Sequence, residues 1–279
     1  MASQYYLGDT NLAGARLNFQ QAVGLNIFDG RLLEPPVAAS LADKTDIWIA
    51  DVCCGTGTWL LQVAQQYGNA TLNGFDINLA ETPNEKWLPA NVNFRQFDVF
   101  ADLEEDMKET YDVVSIQIVH VFLRDSNVGD ILQKLIGMLK PGGWLQWTDQ
   151  DVLNHEAIMP LGETLPEISA GIVHELYKLM SFEPNRWTSP GNCEPIFREA
   201  GLADVQYRRP DLPLSALGPC MQSALWSVEE VCTTVLRRGA ATRERTDEDM
   251  QRVQQAWKDH RESGAVLDLK FFRCIGRKP

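Results

Sequence analysis

Ile47-Trp48-Ile49-Ala50-Asp51-Val52-Cys53-Cys54-Gly55-Thr56-Gly57-Thr58-Trp59 decides how this chain folds. The first half is a short apolar run closed by a carboxylate, the pattern of a buried strand over Ile47–Cys54. The second half is a turn of small residues that feeds a helix expected over Thr58–Tyr67, with Leu60, Leu61, Val63 and Ala64 on its apolar stripe. Gly55 and Gly57 lack Cβ, so a ligand can approach the backbone closely and the chain can turn where other residues cannot. The amides that open the next helix then face an anionic group. Cys53 and Leu60 stand where a dinucleotide fingerprint carries glycines, which counts against a nicotinamide enzyme.

Outward from this loop, short apolar runs alternate with helical spacing, the signature of a parallel sheet covered on both faces. The pattern predicts strands at Ala70–Ile77, Val92–Val99, Asp112–Val119 and Trp144–Trp147, and a helix at Gly129–Leu139 that Lys140-Pro141-Gly142-Gly143 stops. Asp76 ends the second strand, where a carboxylate can accept both ribose hydroxyls of an adenosine ligand. Asp98 ends the third, placed to accept from an adenine amino group, with the Val99 amide and Ile77 beside the ring. Each acid alone reads equally well as a helix cap; three elements in order at one sheet edge favour a ligand site.

Beyond Val152 the expected elements are a helix at Glu163–Leu179, a helix at Asn192–Ala200 ended by Gly201, and a strand at Val205–Arg209. Helices at Met221–Arg238 and Asp247–Glu262 follow, the latter with Thr246 as N-cap, and Val266–Ile275 forms a closing strand. The economical reading is one domain: residues 1–45 a helical N-terminal lid, 46–152 a cofactor-binding core, and 153–279 the substrate-side helices and last strands.

Lys and Arg number 25 against 38 Asp and Glu, and a formal charge of −13 repels a phosphate backbone, so no nucleic-acid partner is expected. The six cysteines show neither CxxC nor zinc spacing, and the four histidines offer no triad, so no metal is expected. The N-terminus lacks the layout of a secretory signal and no apolar run reaches the ~20 residues that cross a bilayer, so the expectation is a cytoplasmic protein with reduced thiols and no membrane contact.

Several motifs are more specific. Tyr6-Leu7-Gly8-Asp9 with Arg16-Leu17-Asn18-x-Gln20, the Asp51-x-x-x-Gly55-Thr56-Gly57-x-Trp59 loop, and Glu85-Lys86-Trp87-Leu88-Pro89-x-Asn91-Val92 occur in order. Tyr111-Asp112-Val113-Val114, Leu139-Lys140-Pro141-Gly142-Gly143-Trp144-Leu145-Gln146-Trp147 and Arg277-Lys278-Pro279 complete the set. In these the chain resembles, over nearly its whole length, the fungal secondary-metabolism class I methyltransferases related to the regulator LaeA. The resemblance implies a Rossmann-like α/β fold whose seven-stranded sheet has its last strand antiparallel. It implies S-adenosyl-L-methionine as methyl donor, and N-terminal helices folded over it as a lid. Cys53 departs from the glycine of most class I enzymes, which bears on the shape of the loop rather than on the ligand.

Methyl transfer from a sulfonium is an in-line displacement, so the protein mainly aligns the reactants. A base near neutral pH helps a hydroxyl or thiol acceptor, and His120, just past the fourth strand, is the leading candidate, against the plainer role of a helix-start histidine. Asp149, and Asp151 after it, are further candidates or simple caps. Gln117 is expected near the methionine end of the donor, and Tyr6 and Arg16 either close over it or dock the N-terminal arm. Phe182, Trp187 and Trp226 read as core packing or as an acceptor wall. The expected activity is methyl transfer to O, N or S of a small metabolite; the alternatives are a donor-binding protein that promotes a cyclisation, and a LaeA-like regulatory module.

Overall fold

The structure, a computed structural model, describes residues 11–151, 153–159, 163, 185–237 and 243–279. Its helices there are α1 (Asn11–Ile27), α2 (Pro35–Ala39), α3 (Thr58–Gln66), α4 (Val128–Met138), α5 (Pro190–Glu199), α6 (Leu217–Arg237) and α7 (Arg243–Glu262). The strands are β1 (Trp48–Val52), β2 (Thr71–Asp76), β3 (Val92–Gln96), β4 (Tyr111–Gln117), β5 (Leu139–Gln150), β6 (Glu156–Ile158), β7 (Ala203–Arg208), β8 (Val266–Asp268) and β9 (Phe271–Arg277). Two compact units divide them: Phe28–Gln150 with Asn185–Pro210 and Phe271–Pro279, and Met1–Ile27 with Asp151–Pro184 and Asp211–Lys270.

The first unit is the sheet unit, with strand order β3-β2-β1-β4-β5-β9-β7. The pairs among β1 to β5 are parallel, and β9 runs antiparallel to both β5 and β7, so the expected seven-stranded sheet with an antiparallel last strand is present. Val113, Val114 and Ile116 of β4 are fully buried because both sheet faces are covered. On α4, Ile131, Leu132, Leu135, Ile136 and Met138 are buried at helical spacing, each stabilising by about 1.5–3 kcal/mol. Residues 28–41 also belong to this unit, a division of the N-terminal arm that periodicity did not reveal. Buried Gln146 holds the segment, accepting from the Glu34 amide at 2.8 Å and donating to the Leu32 carbonyl at 2.8 Å. Arg273 stacks on the Phe28 ring at 3.9 Å and pairs with Glu34 at 3.2 Å.

Three local expectations are corrected. Lys140-Pro141-Gly142-Gly143 follows the helix end but lies inside β5. The Gly142 amide donates to Lys278, and a Cβ on Gly143 would stand 2.9 Å from the Lys140 carbonyl and 3.0 Å from that of Tyr111, so these glycines admit neighbouring backbone rather than form a free turn. Thr246 sits within α7, which starts at Arg243. The closing strand Val266–Ile275 is two strands: Lys270 is left-handed (φ 48), and β8 pairs with β6 while β9 joins the large sheet.

In the second unit α1 packs on α6, α6 on α7, and α6 on the β6–β8 ribbon. Apart from Glu163, the helix expected at Glu163–Leu179, with His174, lies outside the described residues, as do Phe182 and Tyr6. Among the described residues, no helix is long and apolar enough to cross a membrane.

Candidate functional site

The loop after β1 takes three left-handed residues in quick succession: Cys53 (φ 59), Gly55 (φ 53) and Gly57 (φ 73). Cys53 therefore occupies a glycine's conformation with a side chain attached, at a backbone penalty of about 1–2 kcal/mol. The turn is closed by the Gly57 amide on the Cys54 carbonyl at 2.9 Å and tied to β2 by the Cys54 amide on the Phe75 carbonyl at 3.0 Å. One detail of the sequence reading changes. A Cβ on Gly57 would stand 2.2 Å from the Phe94 ring and one on Gly74 2.4 Å, so these missing side chains make room for Phe94.

The carboxyl ends of three strands meet here. The Asp76 carboxylate accepts from the Gly55 amide at 2.8 Å and from the Asn78 amide at 3.0 Å, which bolts β2 to the loop. Burial pushes the Asp76 carboxyl up, and those amides and that of Ile77 pull it back. Asp51, 2% exposed, is pushed well up by burial and next by the charge of Asp76, and the polar side chains of Gln117 and Ser115 oppose the rise. Burial, and then the charges of Asp76, Asp51 and Asp98, push the Cys53 thiol well up. Asp98 is exposed and accepts from the Phe100 amide at 2.9 Å, a local Asx turn. Ile77 beside it is 58% exposed, whereas Val99 is buried. Trp59 is buried at the first turn of α3, and its Nε1 has no hydrogen-bond partner.

Farther along the same edge, β4 gives way to a constrained loop. Ile118 is left-handed (φ 51), unusual for a β-branched residue, and its amide donates to the Thr148 carbonyl at 2.8 Å. Asp149 is wholly buried: one oxygen accepts from the amides of Val119 (3.0 Å) and His120 (3.2 Å) and from Trp147 Nε1 (3.2 Å). Its other oxygen accepts from the Gln150 amide at 2.9 Å and meets His120 Nδ1. Asn185, which sequence reasoning missed, donates to the His120 and Leu123 carbonyls at 2.8 Å each, and Asp125 accepts from the amides of Arg186 and Trp187. Nothing in the chain's periodicity pairs position 185 with position 120.

The remaining candidates are divided between the two units. Arg16 is in the second unit, its Nε on Glu230 at 2.7 Å and its Nη1 on Gln20 at 3.1 Å, both side chains of the ion pair being buried. Asp151, also of that unit, is buried and accepts from Asn154. Trp187 packs on Trp147 at 5.1 Å in the sheet unit, and Trp226 on Phe19 at 5.0 Å in the other. Among the described residues no group of His, Cys, Asp or Glu is arranged to hold a metal.

This donor set suits a nucleoside carrying a positive charge. Each oxygen of Asp76 has taken one amide and keeps a lone pair for a ribose hydroxyl. The clustered carboxylates favour a cation over a phosphate. Residues 49–143 match the family model described as a methyltransferase domain. The sheet order is that of the class I, Rossmann-like fold, and the cofactor that a methyltransferase domain of this fold takes is S-adenosylmethionine. The chain is 31% identical over 162 residues to Methyltransferase grgD of Penicillium sp, covering 53% of each protein. It is 28% identical over 120 residues to the secondary metabolism regulator LAE1 of Hypocrea atroviridis, covering 39% of this chain and 34% of that protein. The chain thus spans about half or less of the length of these relatives. The solved S-adenosylmethionine-dependent methyltransferase of Mesorhizobium loti superposes with a TM-score of 0.51 at 15% identity, covering 89% of this chain and 99% of that one, a likeness of fold.

Proposed function

We propose that the chain is a methyltransferase that moves a methyl group from S-adenosylmethionine to an oxygen, nitrogen or sulfur of a small metabolite. The observation that carries this is the Asp76 carboxylate on the Gly55 amide, which brings the end of the second strand onto the left-handed loop that follows Asp51. In this reading Asp76 accepts the ribose hydroxyls, Asp98 the adenine amino group, and Ile77 and Val99 flank the ring. The backbone of Cys53, Gly55 and Gly57 carries the methionine end, with Trp59, Asp51 and Gln117 beside it. When bound, the cofactor supplies an electrophilic methyl group on a sulfonium. His120 takes the acceptor's proton, and Arg16 docks α1 rather than touching the cofactor. The two units work as one methyltransferase domain, with no nucleic-acid or membrane partner. The likeness to the Penicillium methyltransferase supports the methyltransferase reading.

Calorimetry with S-adenosylmethionine tests it. Asp76→Ala removes an ionised acceptor of two hydroxyls, so the Kd rises at least tenfold. Undetectable binding to the folded wild-type chain refutes the reading. Product formed without release of S-adenosylhomocysteine would assign a cyclisation instead.

A further inference from the structure

We infer that Asp149 is a positioning residue that holds His120 in the Nδ1–H tautomer, placing the lone pair on Nε2. The inference rests on the reading of His120 as the acceptor's base and adds what decides which ring nitrogen acts.

The geometry of the carboxylate carries it. Asp149 is wholly buried and has a fixed set of donors, which divide unequally between its oxygens. Three N–H groups, from Val119, His120 and the Trp147 ring, converge on one oxygen. The Gln150 amide and His120 Nδ1 share the other. An ionised carboxylate only accepts, so the nitrogen facing it carries a proton. In the neutral ring the second nitrogen then bears the lone pair. The backbone on both sides keeps the ring at this station: Ile118 holds its left-handed turn, and Asn185 clamps the carbonyls of His120 and Leu123. Asp149 itself is no base, since five donors already occupy it and it is fully enclosed.

In the reaction the acceptor's lone pair forms the new bond to the methyl carbon, and the electrons of the broken S–CH3 bond stay on sulfur. The acceptor's proton passes to His120 Nε2, and the imidazolium so formed faces the Asp149 carboxylate, which stabilises it.

The division of donors also dictates the effect of Asp149→Asn. Its carboxamide oxygen must face the three converging N–H groups, which turns the NH2 toward His120 Nδ1. A ring nitrogen facing N–H must accept, so the proton moves to Nε2 and the tautomer inverts.

Long-range proton–nitrogen correlation spectra of the uniformly 15N-labelled full chain report the tautomer directly, with no acceptor or cofactor present. The chain has four histidines, and loss of one ring pattern in His120→Gln identifies its signals. At pH 8.5 wild type shows a protonated Nδ1 and an unprotonated Nε2, and Asp149→Asn shows the reverse. A wild-type ring protonated on Nε2 alone, or on both nitrogens, overturns the inference, whether or not the variant folds. An Asp149→Asn chain that folds and keeps the wild-type tautomer overturns it as well. Failure of S-adenosylmethionine binding would sink the proposed function and leave this result standing.

Discussion

Removing the partner of Arg16 tests whether that arginine docks the N-terminal helix or grips the cofactor. Arg16 Nε lies 2.7 Å from Glu230, with the two side chains 3% and 0% exposed, and Gln20 supplies a second, neutral acceptor at 3.1 Å. Nη2 is buried without a hydrogen bond. In Glu230→Leu the guanidinium keeps only the Gln20 bond, so the loss falls near the upper end of the ~3–5 kcal/mol for breaking a buried pair. Arg16→Met alone is expected to lose ~3–5 kcal/mol. The double variant exchanges a buried pair for apolar groups, which is often close to neutral, so it recovers most of the loss. Urea titration followed by circular dichroism measures each midpoint, and calorimetry on the same samples gives the Kd for S-adenosylmethionine. Docking predicts non-additive stabilities and, in the double variant, a Kd within about threefold of wild type, well under the ~1.4 kcal/mol of a tenfold change. Additive destabilisation would refute the pairing argument, and a stable double variant that no longer binds would show that Arg16 serves the cofactor.

Gly57→Ala meets both the left-handed backbone and the Phe94 ring, at about 1–2 kcal/mol for the first and 1–3 for the second. Urea unfolding of the single variant and of Gly57→Ala with Phe94→Ala separates them, because only the packing share returns. Cys53→Gly relieves about 1–2 kcal/mol of backbone strain against about 0.5–1 of glycine entropy, so its urea midpoint rises slightly and cofactor affinity persists. Asp112 anchors the opposite end of the sheet: burial raises its carboxyl, but Lys140, Lys44 and the Trp48 amide together hold it below its ordinary value. A depressed folded-state pKa stabilises above the unfolded value near 3.9 and loses that stabilisation as pH falls through the folded value. The stability gap between wild type and Asp112→Asn, read by urea unfolding, is therefore widest at neutral pH and narrows below about pH 4; a gap that widens on acidification would contradict this.

How much was legible follows from the range of each interaction. Alternation and helical spacing are local, so β1, α3, β2, β4 and α4 lie within a few residues of where periodicity puts them. The closing strand misled because Val266–Ile275 is mostly apolar, and composition carries no mark of a left-handed Lys270 that sends its two halves to different sheets. Gly57 was recognised as special for a partly different reason, since a single chain does not announce that Phe94 packs against it.

By itself the sequence determined the sheet class, the loop from Asp51 to Trp59 and the acids at the strand ends, because strand period, helix period and glycine turns are written in neighbouring residues. Only the tertiary structure decided what those and other charged groups face. Asp149 encloses His120 from 29 positions away, Asn185 clamps the same loop from 65, and Arg16 finds Glu230 across 214. Such partners are chosen by where the packed backbone leaves a buried charge or N–H without water, which no spacing along the chain encodes.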